Sequence, residues 1–452
     1  MKRLLFVLPL ALVSASLHAE DWLQFRGNGT GLSNEKGLPS EWSGDKNVLW
    51  KAKMTGRGWA SPIVVGDKVI IVAASSELDG APRPGGKGGF GPPGGGRGAR
   101  PGVGFKWTIA CLDRTSGKEL WKETALEAKP KVATHGQNTY ASETPVTDGE
   151  RVYVYFGMHG LFCYDLTGKL VWKKDLGSYR TQSNWGTSSS PVLDGERLFI
   201  QVDNEQKSFL VALNKKTGDE VWKQNRTDGT IWSSPVLWKN KERTELVVVG
   251  KKLRSYDPAT GKVLWELGLG DGRPSATPVG DAEQLYYGHG VGGGGGKGGG
   301  GGGGNEAGTL FAVKAGASRD ITPKADETTS SGVAWSQPKA GATMASPLVY
   351  DGYLYILERN RGEISCFDIK TGKPAYQKEQ IAGAKAFWAS PWAYDGKIFC
   401  LDDGGNTHVL KAGPKLEVIR TNTIKDQFWA SPAISGGVVI LRGVNNTYAI
   451  KQ

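Results

Sequence analysis

Asp257-Pro258-Ala259-Thr260-Gly261-Lys262-Val263-Leu264-Trp265 ends one short strand, turns, and begins the next. Asp257 can accept backbone N–H bonds across the turn, Gly261 supplies the positive φ a tight turn needs, and Trp265 follows four residues later in an apolar run. The same order returns at Gly117 and Trp121, Gly168 and Trp172, Gly218 and Trp222, and Gly372 and Tyr376. A Ser/Thr-Pro pair also recurs at the start of short apolar runs, with prolines at Pro62, Pro145, Pro191, Pro235, Pro278, Pro347, Pro391 and Pro432.

Five of the seven intervals between those prolines fall between 41 and 46 residues. The other two, 83 and 69 residues, contain glycine-rich blocks at 80–104 and 290–308. Those blocks are therefore insertions into a period of about 44 residues, the length of a four-stranded propeller blade. Asp-Gly turns at Asp148-Gly149, Asp194-Gly195, Asp351-Gly352 and Asp395-Gly396 separate the first strand of a repeat from the second. Segments 151–156 and 197–202 alternate and are rich in aromatic or β-branched residues, as strands are. Eight such repeats predict an all-β chain, an eight-bladed β-propeller of four-stranded antiparallel blades, because radial closure leaves few exposed strand edges. The last repeat stops after three strands, and Asn47-Val48-Leu49-Trp50-Lys51 supplies the missing one, so an N-terminal strand is expected to complete the C-terminal blade. Trp50, Trp121, Trp172, Trp222, Trp265, Trp335 and Tyr376 are read as wedges that dock neighbouring blades. Two blades depart from the pattern and are expected to have weaker seams. The fifth reaches Trp335 through Ser330-Ser331-Gly332, and the seventh has Gly413-Pro414 and then Ile419 where the aromatic belongs.

Glycine makes up 66 of the 452 residues, and 38% of the chain is hydrophobic, a balance that excludes wholesale disorder. Residues 1–3 are cationic, 4–13 apolar and 14–19 small, ending at Ala19, which reads as a secretory signal peptide despite Leu17 at the third position before the cut. The domain reading is thus a signal peptide at 1–19, a leader at 20–46, and one propeller at 47–452 whose insertions at 80–104 and 290–308 cannot bury a core. The net charge of +11 becomes about +9 once Lys2 and Arg3 are discounted. No later stretch approaches the ~20 apolar residues of a transmembrane helix. No cysteine follows the apolar run to carry a lipid, so a soluble monomer in the periplasm or outside the cell is expected. Cys111, Cys163 and Cys366 share one register of the repeat with Ala212 and Ser255. A slot filled by Cys, Ala or Ser is a small buried site, so these are packing thiols.

The Asp-x-x-Thr-Gly-x-x-x-Trp block with its Ser-Pro strand start resembles the repeat of pyrroloquinoline quinone (PQQ)-type β-propellers, which include quinoprotein dehydrogenases and the outer-membrane assembly protein BamB. Trp22-Leu23-Gln24-Phe25-Arg26-Gly27-Asn28-Gly29-Thr30-Gly31 is similar to the leader of secreted PQQ-like propellers. The resemblance covers residues 21–452 outside the glycine blocks and carries fold more strongly than function, since enzymes and scaffolds share the repeat. It implies PQQ with calcium as a possible cofactor. Many of the alcohol dehydrogenases stack the quinone between a Trp and a disulfide of adjacent cysteines, and this chain has no adjacent cysteines and no haem motif. It also lacks the acylated cysteine of BamB.

No HExxH or G-x-S-x-G occurs, and the glycine runs lack the strand-to-helix context of a nucleotide loop. His135, His159, His289 and His408 are scattered over different blades. What remains is the ring of segments leading into each innermost strand. Three positions before the prolines stand Trp59, Ser142, Ser188, Trp232, Ser275, Met344, Trp388 and Trp429, with Tyr140 and Trp185 slightly upstream. The same segments carry Arg57, Gln137, Asn138, Glu143, Arg180, Gln182, Asn184, Asp228, Asp271, Arg273, Lys385 and Asp426. Aromatic faces beside mixed polar groups suit an orientation-specific site for a small molecule or peptide. The alternative is that the indoles plug the channel and the charges are solvated. If a quinone occupies the funnel, the indoles would stack on it and Arg57, Arg180 or Arg273 would pair with its carboxylates. Glu143, Asn184 and Asp271 would then be the first calcium-ligand candidates by residue type.

No residues are assigned catalytic roles. The first glycine block carries Arg83, Lys87, Arg97 and Arg100, but aromatic interleaving is limited to Phe90 and Phe105, so nucleic acid is not an expected partner. The sequence reads as a non-catalytic binding or interaction platform, for an envelope protein or a small-molecule ligand, in the manner of outer-membrane protein assembly. The alternative is a PQQ-dependent alcohol or sugar dehydrogenase.

Overall fold

Each Ser/Thr-Pro pair is followed at once by a short inner strand, from Ile63–Val65 in the first blade to Ala433–Ser435 in the eighth. Proline has no N–H to give a ladder, so it fits just before the first paired residue of an edge strand. In the computed structural model, which describes residues 20–76, 103–270, 272, 274–291 and 306–452, these strands open eight antiparallel sheets. Blade 3 shows the pattern in full, with Val192–Asp194, Arg197–Val202, Ser208–Asn214 and Glu220–Arg226 paired in order. Blade 8 is completed by Val48–Lys53, which pairs antiparallel with Asn446–Ile450.

The outer strand explains the conserved spacing of glycine, small residue and indole within the repeat. Trp50, Trp121, Trp172, Trp222, Trp265, Trp335 and Tyr376 each lie directly across a strand pair from Ala449, Cys111, Cys163, Ala212, Ser255, Ala312 and Cys366. The partner must be small because the ring sits beside it, and all four cysteines are free and buried. A register shift beside the aromatic position turns the preceding residue to solvent, which is why Leu49, Leu120, Val171 and Val221 are exposed.

The ring then meets the turn of the next blade. Trp50 donates its indole N–H to Arg114 O at 2.8 Å, Trp121 to Leu166 O at 3.0 Å, Trp172 to Lys215 O at 3.2 Å, Trp222 to Pro258 O at 3.1 Å and Trp335 to Ile369 O at 2.9 Å. Gly117 has φ of 69°, and a Cβ there would stand 2.5 Å from the Trp50 ring. Glycine is required for both reasons.

The two irregular blades are joined by other devices. Trp265, which faces the atypical turn of blade 5, is fully buried and donates to Glu245 Oε2 of its own blade at 2.6 Å. Arg319–Asp320 lies parallel against Trp265 and Glu266 as a fifth strand. Ile419 replaces the wedge in blade 7 because blade 8 has no covalent turn between its third and fourth strands, which come from opposite ends of the chain. The leader supplies the missing ring there. Trp42 is buried, donates its backbone N–H to Asn422 Oδ1 at 3.2 Å and stacks near Phe399.

That leader also crosses the propeller from one side to the other. It pairs with blade 1 between Trp22 and Val64 and accepts a bond from Thr147 N of blade 2 at Leu23 O. It then reaches blades 6 and 7, where Arg26 Nη2 donates to Pro347 O at 2.7 Å and Ala393 N donates to Gly31 O. The glycine blocks both open between the second and third strands of their blades. The ends of the second pair as Gly290–Val291 and Glu306–Ala307, and most of both blocks, like the signal-peptide segment 1–19, lies outside the described residues.

Candidate functional site

The residue just before each proline is a hydroxyl residue, and the eight side chains form a ring about the axis. In seven of the blade-to-blade steps, the backbone N–H of one donates to the next hydroxyl at 2.9–3.2 Å, from Ser61 to Thr144 through Ser190, Ser234, Thr277, Ser346 and Ser390 to Ser431. The Ser/Thr-Pro motif thus supplies a cross-blade bond where proline denies an in-blade one. Above this ring lies a cavity of about 380 Å³. Phe25 of the leader is among its lining residues.

All eight residues three positions before the prolines line that cavity: Trp59, Ser142, Ser188, Trp232, Ser275, Met344, Trp388 and Trp429. Gln137, Asn138 and Trp185 join them. Half of the wall is a continuous stack. Trp59 lies 4.6 Å from Trp429, Trp429 lies 4.0 Å from Trp388 at an interplanar angle of 4°, and the Arg359 guanidinium covers the outer face of Trp388 at 3.9 Å. The indole of Trp59 donates to Gln137 O and that of Trp232 to Gly186 O, which fixes the first ring to the blade after it and the second to the blade before it. Trp185 stacks on His135 at 3.8 Å. The indoles therefore form a wall around open space.

Other residues singled out from the sequence lie away from this cavity. Glu143 is buried between blades 2 and 3, where Thr187 Oγ1 and Ser142 N donate to it, and burial pushes its carboxyl up to about 7. Tyr140 packs edge-on against Phe105 and Trp107. Arg57 pairs through its backbone with Ala74, and Arg180 and Asn184 are exposed. Asp271 and Arg273 lie outside the described residues. Asp228 is tied to Arg254 at 3.0 Å and Arg226 at 3.1 Å, and Asp426 accepts bonds from Asn445 and Asn446. These carboxylates are taken up in seams, so none of the described lining residues is acidic.

Three contributors to the site were not singled out from the sequence. Arg359 and Thr343 belong to blade 6, and Thr343 Oγ1 accepts the Arg359 backbone N–H at 3.2 Å. Burial lowers the pKa of the Arg359 guanidinium. Phe25 sits in a leader that the repeat does not describe. For Arg359 the signal was its place in the hairpin between the second and third strands of blade 6, which opens on the same face as the cavity.

An axial site rimmed by eight PQQ-like blades places the chain in the PQQ-like β-propeller class. A family profile described as outer membrane protein assembly factor BamB matches residues 106–378, more than half of the chain, and the chain belongs to that family. It is 25% identical over 276 residues to a tetrathionate hydrolase of Acidithiobacillus ferrooxidans, across 55% of this chain and 50% of that one. It is 24% identical over 251 residues to a polyvinylalcohol dehydrogenase of a Pseudomonas species, across 40% of this chain and 38% of that one. The matches thus span half or less of these relatives. Among solved structures, BamB from Moraxella catarrhalis aligns with a TM-score of 0.58 at 12% identity, covering 89% of this chain and 99% of its own. Quinohemoprotein alcohol dehydrogenase from Comamonas testosteroni aligns with a TM-score of 0.58 at 11% identity, covering 95% and 80%. At such identities the likeness is one of fold.

The described residues do not fit a quinone held beside calcium. A hard cation takes carboxylate and carbonyl oxygens, and the described lining offers hydroxyls, amides, indoles and one guanidinium. Among the described residues no group of three or more His, Cys, Asp or Glu could hold a metal ion. Both faces of Trp388 and of Trp429 are already covered, which leaves neither ring free to stack on a planar cofactor.

Proposed function

We propose that this chain is a non-catalytic binding platform of the cell envelope, exported by its N-terminal segment, which takes a ligand or a partner segment in the axial cavity. The observation that carries this reading is the chemistry of the described lining: one arginine, tryptophans, hydroxyls and amides, without a carboxylate, histidine or thiol. Such a set can bind and orient. It offers hydroxyls but no titratable base to activate one, as acid–base or covalent catalysis requires. Membership of the BamB family supports a role among envelope proteins, and no helix among the described residues is long and apolar enough to cross a membrane.

The competing reading, a PQQ-dependent dehydrogenase, draws on the similarity to a polyvinylalcohol dehydrogenase. Purified protein incubated with PQQ and calcium separates the two. The platform reading expects no dye reduction with alcohols or sugars and no cofactor-dependent rise in melting temperature. Saturable PQQ binding coupled to dye reduction would replace it with the enzyme reading.

A further inference from the structure

We infer that the axial cavity selects a ligand with a carboxylate end group, received without a metal by Arg359, and this rests on the platform reading above. Arg359 is the only charged side chain among the described lining residues. Its guanidinium carbon lies 3.9 Å from the centre of the Trp388 ring, a cation–π contact that holds the group at the cavity wall. Its backbone bonds to Thr343 and Phe387, but the side chain forms no hydrogen bond or ion pair among the described residues, and Nε is buried without a partner. Asp403 acts on it only through space.

A cation half removed from water with unused donors is costly unless something anionic meets it. The buried arginines of the fold show how it would be satisfied if its role were structural. Arg226 is paired with Asp203 and Asp228, Arg442 donates to Ala60 O and Val72 O, and Arg26 donates to Thr30 O and Pro347 O although its Nε and Nη1 stay unpaired. Among the described residues Arg359 has neither kind of partner. A guanidinium held over an indole keeps its planar fork of N–H donors, the geometry that recognises a carboxylate bidentately.

The rest of the cavity describes the body of that ligand. The cavity is also lined by Trp59, Trp185, Trp232 and Met344, whose apolar surfaces favour an apolar or aromatic body. Phe25 of the leader lines the cavity as well and adds another aromatic face. Two sources supply this chemistry: a free aromatic or aliphatic acid, and the C-terminal carboxylate of a polypeptide.

Calorimetric titration of the full mature chain in chelator-containing buffer tests the inference. The probes are indole-3-acetate against indole-3-acetamide, and a Gly-Gly-Phe peptide as free acid against its C-terminal amide. At least one acid should bind tenfold or more tightly than its amide, and the pair that shows the preference identifies the source. Arg359→Gln should reduce the preference to twofold or less, with Arg359→Lys between. Equal binding of acid and amide, or a preference that survives Arg359→Gln, overturns the carboxylate assignment while leaving a binding cavity. Absence of binding by all four probes overturns it as well. The platform reading stands or falls separately, on the PQQ and calcium experiment.

Discussion

The tryptophans at the rim of the propeller and those at its axis are put to different uses. At the rim five indoles, those of Trp50, Trp121, Trp172, Trp222 and Trp335, each work alone, wedged against a positive-φ glycine of the next blade and bonded to a carbonyl of that turn, as Trp50 is at Gly117 and Arg114. At the axis Trp59, Trp429 and Trp388 lean on one another and on Arg359, and they border open space. The rim positions repeat from blade to blade because every seam has the same problem to solve. The axial positions do not repeat, since Trp, Ser and Met share one register there. Where a repeat protein abandons its period without abandoning its fold, the residue is free to serve something other than the fold.

The sharpest break of this comparison is Trp50→Ala. The ring seals the seam at which the two ends of the chain meet, so its loss should cost about 3 kcal/mol or more, read as a fall in urea midpoint. An unchanged midpoint would mean that closure does not depend on the wedge.

Glu143 lies between the two regions, and its effect should follow pH. Its carboxyl is raised to about 7 by burial, above the value of about 4.5 it has when exposed. The folded state therefore holds a proton that the unfolded state releases, and stability present at low pH is lost as pH climbs between those values, by a few kcal/mol at most. Glu143→Gln should remove that decline, so the variant gains on the wild type between pH 5 and 8. Parallel stability profiles would show that the carboxyl is not held protonated.

Trp429→Ala, in the middle of the axial stack, should cost only about 1 kcal/mol, because it gives up ring contacts at an open cavity and no cross-blade bond. A loss as large as that of Trp50→Ala would make the axial tryptophans structural and dissolve the distinction. Smallest of all, Leu120→Lys at the exposed bulge of blade 1 should stay within about 0.5 kcal/mol of wild type, since the bulge already turns that side chain to water.

The parts of this protein that follow the period were legible in its sequence. The prolines marked the inner strands, Gly261 and Trp265 marked the turn and wedge, and Asn47–Lys51 pointed to the shared blade. The slot of Cys111, Cys163 and Cys366 was read as a small buried site, and its cause is now plain: it stands opposite a ring. Counting three residues back from each proline identified eight cavity-lining side chains. What the count could not weigh was direction. Glu143 sits next to Ser142, yet it points into the seam toward Thr187 while Ser142 lines the cavity. Arg359 and Phe25 were missed because they reach the axis from a hairpin and from the leader, segments outside the period being counted.

The most direct test of the division between rim and axis is photo-crosslinking in the cell that makes the protein. A photoreactive amino acid is placed at Met344 in the cavity or at Val263 on the exposed outer edge, and adducts of any mass are read by mass spectrometry. A reproducible adduct at Met344, absent at Val263 and lost with Arg359→Gln, is the predicted result. An adduct-free Met344 beside reproducible adducts at Val263 would contradict it, placing the partner on the rim and leaving the axial cavity without a role in binding.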